Sequence, residues 1–263
     1  MKEGVINKYK PKMFLKHLLR FLFKKRAFLA IFYITIYVHN RIRYGPSAPK
    51  HAEKIWVTPQ ECLNALSPNI VKEHCGGLLD SPSKASGIVI NKWPSGKVLK
   101  IDEYPKEEFC IDDWVDGIRI ETIRKFKFKF CIEHWVNGIP WEKTGAYELM
   151  EKAIETSWNR RWDGCENIDD VIKRYENLDR IFEQIKQEGR LRRKEEVDSS
   201  LSWRESESII HIGPGGQPYF GGSGLHRFAI AYILNLPLPA KIGLVHVSAI
   251  PYLNHYRKKN YYA

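Results

Sequence analysis

Apolar residues recur at three- and four-residue steps through Ile168, Val171, Ile172, Tyr175, Leu178, Ile181, Phe182 and Ile185, which predicts an amphipathic helix closing at Gly189 as its C′ residue. A second helix is expected from about Lys143 to Ser157, and a charged connection over Arg190 to Ser200. Arg124 to Cys131 reads RKFKFKFC, a strict alternation that predicts a half-buried strand with Phe inward and Lys to solvent. The same interleaving could serve as a stacking platform for single-stranded nucleic acid. Lys54 to Val57 reads as a short strand. Thr58, Pro59 and Glu61 then carry the pattern of an N-cap, first helical position and early acid, opening a short helix through Leu66. Ile88 to Ile90 is the one apolar run in a Gly/Ser/Pro-rich stretch from Gly76 to Gly96, and is expected as a strand.

Further along, Ser208 to Gly213 reads as a strand, Pro214-Gly215-Gly216 as a tight turn and Gln217 to Phe220 as the returning strand. Gly221 to Arg227 then runs directly into a helix-forming stretch, Phe228 to Leu234. Pro237 and Pro239 stop that helix, and Ile242 to Val247 make a further strand.

Composition changes this picture mainly at the N-terminus. With 43% hydrophobic and 28% charged residues the chain is globular in character. The net charge of +11 sits in one place: Gly4 to Ala52 holds eleven Lys/Arg and no acid, while 30 basic and 30 acidic residues balance from Glu53 onward. That neutral body weakens a nucleic-acid reading, because affinity for a polyanion rests on phosphate neutralisation. Leu15, Leu18, Leu19 and Leu22 share one helical face, with Lys16, Arg20 and Lys24 largely elsewhere. Residues 12–43 therefore suit a basic amphipathic helix on an anionic membrane surface, or a pair of helices packed on the body. The uncharged run from Ala27 to Val38 is shorter than a bilayer span. Tyr44 to Pro49 reads as a linker, so the chain divides into a 1–52 arm, a 53–160 middle α+β region and a 161–263 C-terminal domain. Five scattered cysteines without a C-x-x-C pair fit reduced thiols and a cytoplasmic, peripherally membrane-bound protein.

Two stretches raise metal chemistry. FCIDDWVDGI (Phe109 to Ile118) and FCIEHWVNGI (Phe130 to Ile139) agree at seven of ten positions, and the first offers Asp112, Asp113 and Asp116 to a Mg²⁺ ion. The competing reading is two aromatic-anchored turns with solvated acids. Cys131/His134 and His74/Cys75 have ligand-like spacing, but no second pair completes a zinc set.

The strongest chemical signal is the glycine loop. Glycines permit tight turns and close approach of a ligand to the backbone. The helix that follows supplies unpaired N–H groups and the positive end of its dipole. Gly222 and Gly224 would let an anion approach, Ser223 would cap the helix, and His226 and Arg227 would donate to the same anion. A capped helix with a surface His-Arg is the plainer alternative.

Gly224-Leu225-His226-Arg227, running into Ala229 and Ala231, resembles the signature of the ParB/sulfiredoxin-like superfamily, whose Gly-x-His/Arg-Arg turn enters an alanine-rich helix. Glu183-Gln184-Ile185 to Gly189 is similar to its Glu-Ser-Ile-x-x-x-Gly helix end, and Trp141 to Thr144 to an upstream Trp-Glu-x-Thr segment. The resemblance runs from roughly Asp163 onward. It implies a nucleotide-phosphate site, used in that superfamily for phosphoryl transfer, CTP-driven clamping on DNA or nuclease activity. Leu225 stands where sulfiredoxins carry their reacting cysteine, so sulfinic acid repair is not expected. Ser223 replaces the usual acid, and only sixteen residues follow Val247, which counts against a DNA clamp.

The fold expected is therefore α+β, with a ParB/sulfiredoxin-like C-terminal domain. The activity expected is phosphoryl transfer from a nucleoside di- or triphosphate, ATP with Mg²⁺, to a hydroxyl acceptor at a membrane surface. Gly222, Ser223, Gly224, His226 and Arg227 would hold the nucleotide. Glu183, His226 and Arg227 would act in catalysis, with Glu183 as base or metal-orienting group. The alternatives are a non-catalytic nucleotide sensor and a nucleic-acid binder or nuclease.

Overall fold

The structure is a computed structural model describing residues 26–66, 86–94, 98–103, 120–157, 159–197, 207–221 and 224–258. It is an α+β protein. Its helices are α1 (Arg26–Tyr44), α2 (Ile120–Trp135), α3 (Trp141–Thr144), α4 (Ala146–Thr156), α5 (Ile168–Glu188), α6 (Lys194–Val197), α7 (Leu225–Ile233) and α8 (Leu253–Lys258). Its strands are β1 (Lys54–Val57), β2 (Asn64–Leu66), β3 (Val89–Ile90), β4 (Val98–Lys100), β5 (Ser208–Ile212), β6 (Pro218–Phe220) and β7 (Leu238–His246).

Among the described residues one mixed sheet gathers all seven strands in the order β1-β7-β5-β6-β2-β4, with β3 beside β7. β5 and β7 run parallel at the centre, and β5 turns back antiparallel onto β6. β1 lies antiparallel along the first half of β7, Lys54 opposite Lys241, and β3 continues that edge in parallel. Strands from 53–160 and from 161–263 thus interleave in one sheet. β7 starts at Leu238, earlier than Ile242, and takes in Pro239 opposite Trp56.

α7 lies against β5 and β7, and α2 packs on α7. A single core joins the sheet to these helices through Ile210, Ile212, Ala240, Ile242, Phe128 and Phe228, among others. The opposite face holds a smaller cluster, Leu66 and Leu244 with Ile88, Ile90, Trp93 and Tyr219. Gly243 is required by close approach: a Cβ there would stand 2.2 Å from Nδ1 of the buried His211. With glycine in place, Nδ1 of His211 accepts the Leu244 N–H at 2.9 Å.

The alternating segment Arg124 to Cys131 is helical, as part of α2, and not a strand. Successive alternate residues on a helix stand about 200° apart, so the three phenylalanines cannot all share a face. Phe126 and Phe130 stack together at 5.9 Å. Phe128 turns the other way, to Phe228 at 6.1 Å and Tyr232 at 5.3 Å. Lys127 and Lys129 are buried as well, each paired: Lys127 with Asp163, and Lys129 with Glu133 at 3.6 Å. A helix enclosed on all sides loses the polar face that a 3.6-residue period needs, and the alternation that remains mimics a strand.

The periodic helix appears as α5, capped by Asn167, whose Oδ1 accepts from Asp170 N at 3.0 Å, and ended by Gly189 at φ +63°. The short helix expected after Thr58 is a single 3₁₀ turn, Pro59–Cys62, followed at once by β2, and the Thr58 side chain makes no capping bond. The arm's expected leucine face and the acidic copy at 109–118 lie outside the described residues. Among the described residues no helix is long and apolar enough to cross a membrane.

Candidate functional site

β5, a 3₁₀ turn at Pro214–Gly216 and β6 form the hairpin that delivers the chain to α7. Gly221 N–H returns to Ile209 O at 2.7 Å, and Gly224 takes the N-cap position at φ +73°. That left-handed conformation favours glycine. Space demands it too, since a Cβ on Gly224 would meet Ser208 Oγ at 2.7 Å. Gly224 supplies no side-chain cap, and the first turn of α7 carries the positive end of the helix dipole. Ser208 is fully buried and its hydroxyl has no partner. Gly222 and Ser223 lie outside the described residues.

His226 and Arg227 are neighbours in sequence and therefore about 100° apart around α7. They go to different surroundings. The Arg227 guanidinium donates from Nη2 to Arg192 O at 2.7 Å and stands 3.5 Å from Glu207 Oε2. Its side chain is only 17% exposed and that of Glu207 3%. Burial lowers the Arg227 pKa, Glu207 acting against this and Arg193 with it. Arg193 lies with its guanidinium 4.8 Å over the Trp56 ring. Arg227 Nε and Arg193 Nη1, both buried, have no acceptor. A buried donor without an acceptor costs on the order of 1–3 kcal/mol.

His226 turns toward α2 and α5. It sits edge-on to Tyr175 at 5.8 Å, and its buried Nε2 has no partner. Burial, then the charges of Lys127 and Arg174, push its pKa down to about 3, with Asp163 opposing. The ring is therefore neutral at pH 7. Asp163 comes from a tight turn in which Trp162 and Cys165 exchange backbone hydrogen bonds of 3.0 and 2.9 Å. Burial raises the Asp163 pKa, but Lys127 beside it, then Arg174 and His226, bring it below the ordinary carboxylate value. An open cleft of about 580 Å³ borders this cluster, lined by Arg161, Asp163, Cys165, Lys173 and Arg174 among others. Burial raises the thiol pKa of Cys131 and of Cys165, so neither is poised as a nucleophile.

The remaining candidates stand apart. Glu183 is on the solvent side of α5, 55% exposed and 3.5 Å from Lys186 Nζ. Its neighbour Phe182 faces inward and stacks on Trp135 at 4.7 Å. Cys131 is a core residue. Both nitrogens of His134 are engaged, Nδ1 with Ile139 O at 2.7 Å and Nε2 with Asp179 Oδ1 at 3.0 Å. The same carboxylate accepts from the indoles of Trp135 and Trp141 at 2.9 and 3.0 Å, which makes Asp179 the hub of a packed aromatic junction. Among the described residues no group of three or more His, Cys, Asp or Glu is arranged for a metal ion.

Sequence reasoning missed Glu207 and Arg193 beside Arg227, Ser208 beside Gly224, and Lys127, Asp163 and Arg174 beside His226. Glu207 had a readable signal, an acid directly preceding a wholly buried strand. The others come together only through tertiary packing. No known protein family, curated protein or solved structure matches the chain.

Proposed function

We propose that this chain binds the phosphate group of a nucleotide at the start of α7 and transfers a phosphoryl group to a hydroxyl acceptor. The observation that carries the reading is the set of buried donors without acceptors at that helix end: Arg227 Nε, Arg193 Nη1 and Ser208 Oγ. A phosphate there would meet two guanidinium groups and the helix N-terminus together, in surroundings that strengthen each contact by excluding water. The resemblance to the ParB/sulfiredoxin-like superfamily supports the same helix end. Arg227 then neutralises charge developing on the transferred group. Glu207, buried beside it, takes the place first given to Glu183 and accepts the proton of the attacking hydroxyl. The hydroxyl oxygen bonds to phosphorus as the bond to the bridging oxygen breaks, releasing the shortened nucleotide. A Mg²⁺ ion that accompanied the nucleotide would take most of its ligands from phosphate and water and would add charge neutralisation to that of Arg227. His226 is a neutral packing group under the helix start in this reading, not a phosphate ligand.

One observation favours a second reading. Arg227 already holds Arg192 O and Glu207, and a ligand that took over those bonds would release the segment after α5, as a sensor requires. Binding and turnover of ATP, ADP, GTP and CTP with Mg²⁺ separate the two, using the wild type, Arg227→Ala and the milder Arg193→Gln. Turnover lost in the Arg227 variant and weakened in the Arg193 variant supports transfer. Tight binding without turnover supports the sensor, and no nucleotide binding sinks both.

A further inference from the structure

α1 is held to the body by one face. Asn40, buried, donates from Nδ2 to Pro49 O at 3.2 Å and Gly87 O at 2.8 Å, and Tyr33 stacks on His51 with ring centroids 3.2 Å apart. Opposite Asn40 and Tyr33, at about 100° per residue, Ile31, Ile34, Val38 and Ile42 fall within an arc of about 80°. All four are exposed, from 47% at Val38 to 82% at Ile42. Thr35, at the margin of this stripe, turns its hydroxyl back to Ile31 O at 2.9 Å, so its polar atom is satisfied by the helix itself. Arg41 flanks one side of the stripe, its Nε donating to Tyr37 Oη at 3.1 Å and its Nη1 to Pro46 O, which leaves Nη2 for a headgroup, and His39 and Arg43 lie toward the other side.

This stripe cannot be hidden by rotating the helix. Turning Ile34 and Val38 inward would break both Asn40 bonds and unstack Tyr33. A contiguous apolar surface fixed outward in this way marks an interaction site. Its setting identifies the occupant: eleven Lys/Arg and no acid lie between Gly4 and Ala52, with Arg41 to one side of the stripe and Arg43 to the other. Apolar residues at the centre with basic side chains at the margins match a helix lying in the plane of an anionic bilayer surface, where the cations reach the headgroups.

We propose that α1 is a membrane-docking helix that lays Ile31, Ile34, Val38 and Ile42 into an anionic lipid surface while Asn40 and Tyr33 keep the body attached above it. The inference is independent of the phosphate site. On this proposal one face of α1 packs on the body and the other is left for lipid.

The test is co-sedimentation of the full chain with vesicles of phosphatidylcholine alone and of phosphatidylcholine mixed with phosphatidylserine. The variants are Ile34→Glu/Val38→Glu on the stripe and Asn40→Ala on the docked face. Binding is expected to the phosphatidylserine vesicles only, weaker at high salt, and reduced by roughly a hundredfold in the double Glu variant. Asn40→Ala should keep the vesicle affinity while loosening α1 from the body, read as faster proteolysis before Tyr44. Failure of the wild type to bind phosphatidylserine vesicles would overturn the proposal, as would unchanged binding of the Glu variant. So would a Glu variant that binds as before but loses thermal stability or self-association, for the stripe would then be covered by residues of this chain or by a second copy.

Discussion

Acidification isolates the His226 cluster from the rest of the fold. In the folded protein the imidazole is buried against Lys127, Arg174 and Asp163 and titrates near pH 3, against 6.5 for an ordinary histidine. A base whose pKa falls on folding takes up its proton more readily when unfolded. Its contribution to stability is therefore complete above pH 6.5 and is lost progressively as pH drops toward 3. Between pH 7 and pH 5 that loss is about 2 kcal/mol, at 1.36 kcal/mol per pH unit below 6.5. Asp163, whose pKa lies below its ordinary 3.8, acts in a lower window, losing its contribution only as pH falls below that value. The interval from pH 7 to 5 thus reports on His226. Urea titrations followed by tryptophan fluorescence, with eight Trp in the chain, should show the wild type losing about 2 kcal/mol more than His226→Gln over this interval. Equal losses in the two proteins, or a wild type that gains stability on acidification, would refute the picture of a neutral imidazole caged by cations.

Three further substitutions address the fold. Gly243→Ala places a Cβ 2.2 Å from His211 Nδ1, and should cost about 2 kcal/mol or more in a urea melt by forcing the ring off the Leu244 N–H. Phe128→Ala, emptying a fully buried site between Phe228 and Tyr232, should cost about 3–5 kcal/mol; a near-neutral result would refute this packing of α2 on α7. Asp179→Asn replaces the acceptor shared by His134, Trp135 and Trp141. It should lower stability by about 2 kcal/mol and red-shift the tryptophan emission, while leaving the nucleotide binding proposed at α7 unchanged.

Legibility in the sequence followed how one-sided each element is. α5 rests on the body by one stripe, so its three- and four-residue spacing predicted both its course and its end at Gly189. The β5–β6 hairpin and the start of α7 were readable because glycine and proline punctuate them. α2 was misread because Phe, Lys and Cys are all buried along it, and paired lysines inside a core leave no polar face to count. The candidate site was legible at Gly224 and Arg227, which are local. Its partners were not: Glu207 and Arg193 come to Arg227 from separate segments, and Asp163 reaches Lys127 across 36 positions. Adjacency itself misled, since His226 and Arg227 share a turn of helix and no surroundings.

Lys54 pairs with Lys241 across the sheet, and this arrangement sets a timetable for biosynthesis. At roughly 5–20 residues per second, β1 must wait on the order of ten seconds or longer after its own synthesis before β7 exists to receive it. β2 likewise waits for β6, its parallel neighbour. During that interval the early strands hold unsatisfied edges, a hazard for aggregation. α1 needs no late partner to form its own backbone bonds. A nascent chain could therefore present its basic, apolar helix to a surface well before the sheet closes behind it.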